Sequence, residues 1–273
     1  ASTRLVITAF GCVLLTGACA ASSSRRLAPT PVADPKPIRI PETPAVELLP
    51  RRVVATGLKN PRGLLMLPNR TLLVSEAGSG TPDDELSGSL SRFSDRNADA
   101  DFDDDGERLA LLARQPSNNI MHIVRRDEVF GMAGLAAGDG KVLVALAFFG
   151  GPSTIMQVEG DSVTPWGSTH GNINDLTYDP RRNAWFAVAS TTDEVVRVLP
   201  GGAAERVLKI PPLRNGQDAV PAYLGYDSVT GEVLVTLFTG SPEGEEGGRG
   251  IELVPRAGGI IAVHPETRSF RWL

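Results

Sequence analysis

The stretch GNINDLTYDPRRNAWFAVAS, residues 171 to 190, holds an Asp-Pro turn, Asp179 to Asn183, and behind it the apolar run WFAVAS, Trp185 to Ser190. Proline fixes φ, and Asp and Asn bond to their own backbone. The segment 179–183 therefore turns the chain and delivers WFAVAS as the second strand of a hairpin. Three further runs are of the same type: LLVSEA at Leu72 to Ala77, VLVALA at Val142 to Ala147 and VLVTLF at Val233 to Phe238. Pro68-Asn69-Arg70, Gly138-Asp139-Gly140 and Ser228-Val229-Thr230-Gly231 supply the turns before them. Each run is followed by a third strand, SLSRF from Ser89, TIMQV from Thr154, EVVRV from Glu194 and GIIAV from Gly259. A fourth comes after that: ERLALLA, SVTPW, ERVLKI and RSFRWL.

Four antiparallel strands per unit, repeated at roughly forty residues, make a propeller blade. A β-sandwich also has short, evenly spaced strands, but it does not predict the same strand-turn-strand order four times. The expected fold class is all-β, a β-propeller of four-stranded antiparallel blades at about 63–113, 131–166, 173–210 and 221–273. RRVVATGL from Arg51 reads as a lone strand, of the kind that completes a last blade and ties the ring shut. Four blades with such a strand fit a six-bladed ring that lacks two blades, about eighty residues. The chain is thus expected to be a fragment, with a complete four-bladed ring as the competing reading. An unclosed ring leaves blade edges unpaired, so if Leu273 is the native end the isolated chain is expected to be poorly soluble or to pair with a second chain.

The 273 residues include 29 Gly and 21 Pro and few aromatics, a mix that favours short strands and turns. The net charge of -5 shows no basic face to neutralise a phosphate backbone and gives nucleic acid little support as a partner. Arg4, the apolar run Leu5 to Leu15 and the small residues Thr16-Gly17-Ala18 read as an export signal. That run is too short to cross a bilayer as a helix. Leu15-Thr16-Gly17-Ala18-Cys19 resembles a bacterial lipobox, which implies diacylation of Cys19 and an exported protein, periplasmic or at the cell surface, lipid-anchored to the membrane. Ordinary cleavage nearby, with Cys19 spare, is the alternative. Residues 20–50 are rich in Pro and Ser without a strand or helix period and read as a semi-rigid tether. The organisation is then a signal over 1–19, a tether over 20–50 and a propeller over 51–273. The other cysteine, Cys12, would leave with the signal, so the mature domain has no internal disulfide.

Asn60-Pro61-Arg62-Gly63-Leu64 ahead of LLVSEAGSG and GSLSRF, and Ala219-Val220-Pro221-Ala222 ahead of VLVTLFTGSPEGE and GGIIAV, resemble the ScyD/ScyE family over most of residues 53–273. That family falls in the six-bladed NHL/TolB-like group. The resemblance implies an exported propeller, and most members have no established activity. The chain departs from it in the acidic insert after Phe93 and in the loop EGEEGGRGIELVPRAG.

Residues leading into the first strand of each blade are placed to converge on a propeller's central channel. Here they are Asn60 and Arg62; His122 and Arg125; His170, Asn172, Asn174 and Asp175; Gln217 and Asp218. Together they could line one cavity with both signs of charge, fit for a small-molecule or protein ligand. Each alone could equally be a solvated loop residue or a cap. Asn174-Asp175, Asp179-Pro180 and Trp185-Phe186 are also similar to the Asn-Asp-Gly, Asp-Pro and Phe-Trp run of the gluconolactonase (SMP-30) propellers. That similarity implies an asparagine facing a calcium-bound substrate. Leu176 stands where that family has Gly, and no Glu-Gly-Pro motif occurs in the first blade. Arg62, Gly63, Ala222 and Tyr223, at the corresponding positions of blades one and four, offer no carboxylate. A quinone-dependent sugar dehydrogenase would need a histidine base beside cationic clamps. His122 with Arg125 and Arg126 is the local cluster of that kind.

DRNADADFDDDGER, from Asp95, sets Asp101, Asp103 and Asp105 before Gly106, as at the opening of a calcium loop, but Leu112 stands where an EF-hand has its bidentate Glu. The segment is either a partial, structural calcium loop between outer strands or a solvated acidic hairpin. No Gly-x-Ser-x-Gly elbow, phosphate-cradling glycine loop or zinc-type histidine set is present. The sequence therefore reads as a membrane-tethered extracytoplasmic propeller that binds a ligand or acts as a scaffold. A sugar- or lactone-directed enzyme with calcium or a quinone as cofactor is the alternative.

Overall fold

The computed structural model describes residues 52–84, 86–115, 129–148, 152–201, 204–213, 218–239 and 258–273. Cys19, the tether, His122, Arg125 and Gln217 lie outside them. Blade one comprises β1 (Pro61–Met66), β2 (Thr71–Glu76), β3 (Gly88–Ser94) and β4 (Arg108–Gln115). Blade two comprises β5 (Val129–Gly138), β6 (Lys141–Phe148), β7 (Pro152–Glu159) and β8 (Ser162–His170). Blade three follows with β9 (Ile173–Asp179), β10 (Ala184–Ala189), β11 (Glu194–Val198) and β12 (Ala204–Lys209). Blade four has β13 (Ala219–Tyr226), β14 (Val233–Thr239), β15 (Gly259–His264) and β16 (Ser269–Trp272). In each sheet the strands pair antiparallel in chain order, as expected for propeller blades.

The turn residues do what their chemistry requires. Asp139 and Asn183, ahead of β6 and β10, take positive φ, the backbone of a tight hairpin. In the β9–β10 turn the buried Asp179 carboxylate accepts the Arg181 and Arg182 N–H groups at 2.8 and 3.2 Å. The same carboxylate pairs with Arg182 Nη1 at 2.6 Å, which fixes the Asp-Pro turn from inside.

Apolar side chains alternate between the two faces of the middle strands, so each sheet can pack on both sides. Leu73, Leu90, Met132, Leu135 and Val144 join blade one to blade two. Ala145, Ile155, Ile173, Trp185 and Val196 join two to three, and Phe186, Val188, Val233, Val235 and Ile261 join three to four. The first strands pack in succession, β1 on β5, β5 on β9 and β9 on β13, and are the axial strands. Among the described residues no comparable interface joins β13–β16 to β1–β4.

The lone strand expected from Arg51 does not form: residues 52–58 lie in no strand. Val54 O accepts the Phe102 N–H at 2.7 Å, and Ala55 and Leu58 pack with Leu72, Val74, Phe93 and Phe102. This cluster covers the face of blade one turned away from blade two. The physical reason is Phe102, which the acidic insert brings back edge-on to Phe93 at 6.1 Å. It gives Ala55 and Leu58 a packing partner that a sheet edge does not.

Candidate functional site

Every axial strand carries an extra residue. The partner strand skips Arg62 in β1, Phe130 in β5, Asn174 in β9 and Ala222 in β13. A bulge kinks the strand and re-aims the residue within it. Arg62, Asn174 and Asp175 thus lie inside the first strands rather than ahead of them, and Asn174 shares its structural position with Arg62, Phe130 and Ala222.

Asn174 and Asp175 reach sideways to the next blade. Asn174 Nδ2 donates to Pro221 O at 3.0 Å, and Asp175 Oδ2 accepts the Leu224 N–H at 2.9 Å. On the other side Asp175 lies on Gly134 of β5, where a Cβ would come within 1.8 Å of its Oδ1. Glycine at 134 therefore makes room for the carboxylate. Burial pushes the Asp175 carboxyl up to about 6, against the lowering effect of the Leu224 and Leu176 backbone hydrogen bonds. A carboxyl that burial raises to about 6 stands where the axial strands of blades two, three and four meet. It can accept a hydrogen bond from a ligand, or hold a proton for one.

Asn172 is buried and bound into the adjoining turn. Its N–H donates to Thr191 Oγ1 at 2.9 Å and its Nδ2 to Ser190 Oγ at 3.1 Å, while its own Oδ1 is buried with no partner. Asp218 is also buried and accepts the Ala219 N–H at 3.0 Å; burial and the charge of Asp193 raise its pKa. The Arg62 Nε is buried without a hydrogen-bond partner. Asn60 is exposed, with φ of 52°, and its carbonyl accepts the Ala77 N–H at 3.0 Å. His170 is not on an axial strand: it ends β8, the fourth strand of blade two, opposite Pro152. Of the expected set, then, Asn174 and Asp175 are brought together at the axial strands. Gly134 was not singled out by the sequence, although the small-residue run GMAGLAAG marks a backbone that something approaches closely.

The acidic insert lies between β3 and β4. It groups Asp99, Asp101 and Asp104, with one carboxylate oxygen of each within 4.8 Å of the others. Asp103 turns instead to Thr56, whose Oγ1 donates to it at 3.2 Å, and Asp105 stands outside the group. The register of the cluster therefore differs from Asp101, Asp103 and Asp105.

No family model matches the sequence, and no curated protein matches it. Solved β-propeller structures resemble its chain trace. A protein of unknown function from Bacteroides thetaiotaomicron has 14% identity and a TM-score of 0.47, covering 79% of this chain and 43% of its own. Virginiamycin B lyase from Staphylococcus aureus has 9% identity and a TM-score of 0.48, covering 79% of this chain and 55% of its own. A protein from Lactobacillus plantarum has 15% identity and a TM-score of 0.46, covering 81% of this chain and 56% of its own. The chain thus spans about half the length of these proteins, and the likeness is one of fold alone.

Proposed function

We propose that the chain belongs to a membrane-tethered extracytoplasmic propeller that binds a ligand, a small molecule or a protein segment, at the axial strands around Asn174 and Asp175. The observation that carries the reading is Asp175, a carboxyl kept at a position where burial works against its charge. Stability alone favours a neutral residue there, and such groups cluster at functional sites. Asn174 and Asp175 each hold backbone of the neighbouring blade, which favours a preorganised surface over a catalytic set. The tether rests on the lipobox-like Leu15 to Cys19 and the Pro-rich run behind it.

Thermal unfolding of the full chain against a panel of sugars, lactones and short peptides tests the site. A compound that binds should raise the melting temperature of the protein, and Asp175→Asn should lose that rise. A compound that stabilises both equally binds elsewhere, and the site fails. The tether has its own test in fractionation of the expressing cells. Wild-type protein should take up a fatty-acid label and sediment with membranes, whereas Cys19→Ala should stay unlabelled and soluble. An unlabelled wild-type protein would remove the anchor from the reading.

A further inference from the structure

The acidic insert is closed by its own hydrogen bonds. Asp95 Oδ2 accepts the Ala100 N–H at 3.0 Å, Asn97 Oδ1 that of Asp99 at 3.0 Å, and Asp99 Oδ1 that of Asp101 at 3.1 Å. Ala98 and Ala100 take positive φ as the chain doubles back. Asn97 Nδ2 lies between Asp99 and Asp104, donating to both at 3.1 and 2.5 Å. None of this by itself calls for an ion.

The independent observation is Glu107. It is 2% exposed, and its Oε1 accepts the Arg96 N–H at 2.6 Å, which sets the carboxylate against the loop backbone between Asp95 and Asn97. Its Oε2 is buried with no hydrogen-bond partner, and so is Oδ1 of Asp95. Bare carboxylate oxygens out of water are unfavourable unless a cation meets them. Arg52 bonds neither of these two oxygens: it enters the cluster at Asp101 Oδ2, 2.5 Å, and at the Asp99 carbonyl, 2.7 Å.

We propose that residues 95–107 form a calcium site whose ligands are drawn from Asp95, Asp99, Asp101, Asp104 and Glu107. The donors are hard oxygens, several of them carboxylates on one short loop, as calcium takes; magnesium asks for a near-ideal octahedron and keeps its waters. The ion acts as a clamp. Phe102 lies inside the same loop and packs where Ala55 and Leu58 meet blade one, so calcium holds that cover in place. The site lies between β3 and β4 and is independent of Asp175 on β9.

The full chain, stripped with chelator and titrated with calcium, should bind a single equivalent. At a calcium concentration about a hundredfold above the dissociation constant it should melt about 5–10 °C higher. Magnesium at that concentration should produce a clearly smaller rise. Asp99→Asn/Asp104→Asn should lose the calcium response, yet in chelator it should melt at or above the wild-type protein, because like charges no longer face one another. No calcium-dependent rise in the wild-type protein, an equal rise with magnesium, or an equal calcium rise in the double variant overturns the site.

Discussion

Replacing Glu76 by Ala is expected to lower the unfolding free energy by about 3–5 kcal/mol. Glu76 ends β2 and is 1% exposed, so its charge has to be met by protein groups. Oε2 accepts the Lys59 N–H at 2.6 Å. Oε1 accepts the hydroxyls of Ser89 and Ser91 at 2.9 and 3.2 Å, and Arg108 Nη2 at 2.5 Å. One carboxylate thus ties the chain ahead of β1 to β2, β3 and β4. The Arg108 guanidinium also lies 5.4 Å from the Phe93 ring. Truncation strands unequal partners. Arg108 is 39% exposed on its side chain and can return to water, whereas Ser91 is fully buried and cannot. Arg108→Ala leaves the buried carboxylate without its counter-ion and should also destabilise the protein, and the double variant should lose less than the sum. Denaturant titration reads this as a lower midpoint at an unchanged slope. A loss below about 1 kcal/mol would mean that water replaces the network.

The sixteen strands among the described residues were legible because short apolar runs sit between turn-forming residues, as Trp185 to Ser190 does behind Asp179-Pro180. Residues 52–58 were not, for a reason of partnership. Val53 and Val54 are β-formers, but they stay exposed here, and Phe102 returns from the insert to bond the Val54 carbonyl and pack with Ala55 and Leu58. The site divides the same way. The position of Asn174 and Asp175 could be read from the repeat, while their partners could not: Pro221 O and the Leu224 N–H are backbone atoms of another blade, and backbone atoms carry no residue signature. In the acidic insert the alternation of carboxylates allows more than one register. The burial of Glu107, which no local pattern announces, favours the one that begins at Asp95.

The stability difference between the protein and Asp175→Asn should change with pH between about 4 and 6. The sign follows from the direction of the shift. Burial raises the folded-state value to about 6, above that of the unfolded chain, so between the two values the folded protein binds more protons than the unfolded one. The contribution of this carboxyl is then fully present below the unfolded value and lost as pH rises to about 6, an interval of about 3 kcal/mol at most. Other carboxylates tilt the overall profile both ways, since Asp218 is raised while Asp227 and Glu232 are lowered, so the wild-type curve alone is a mixture. Subtracting the variant isolates position 175. Asparagine keeps an oxygen for the Leu224 N–H and carries no charge to desolvate. Asp175→Asn should match the protein below about pH 4 and exceed its stability by about 1–3 kcal/mol at pH 7. A difference that stays flat across that window would mean the folded carboxyl is solvated. Its candidacy as a ligand contact would then rest on position alone, without the thermodynamic cost that sets it apart from Asn174 beside it.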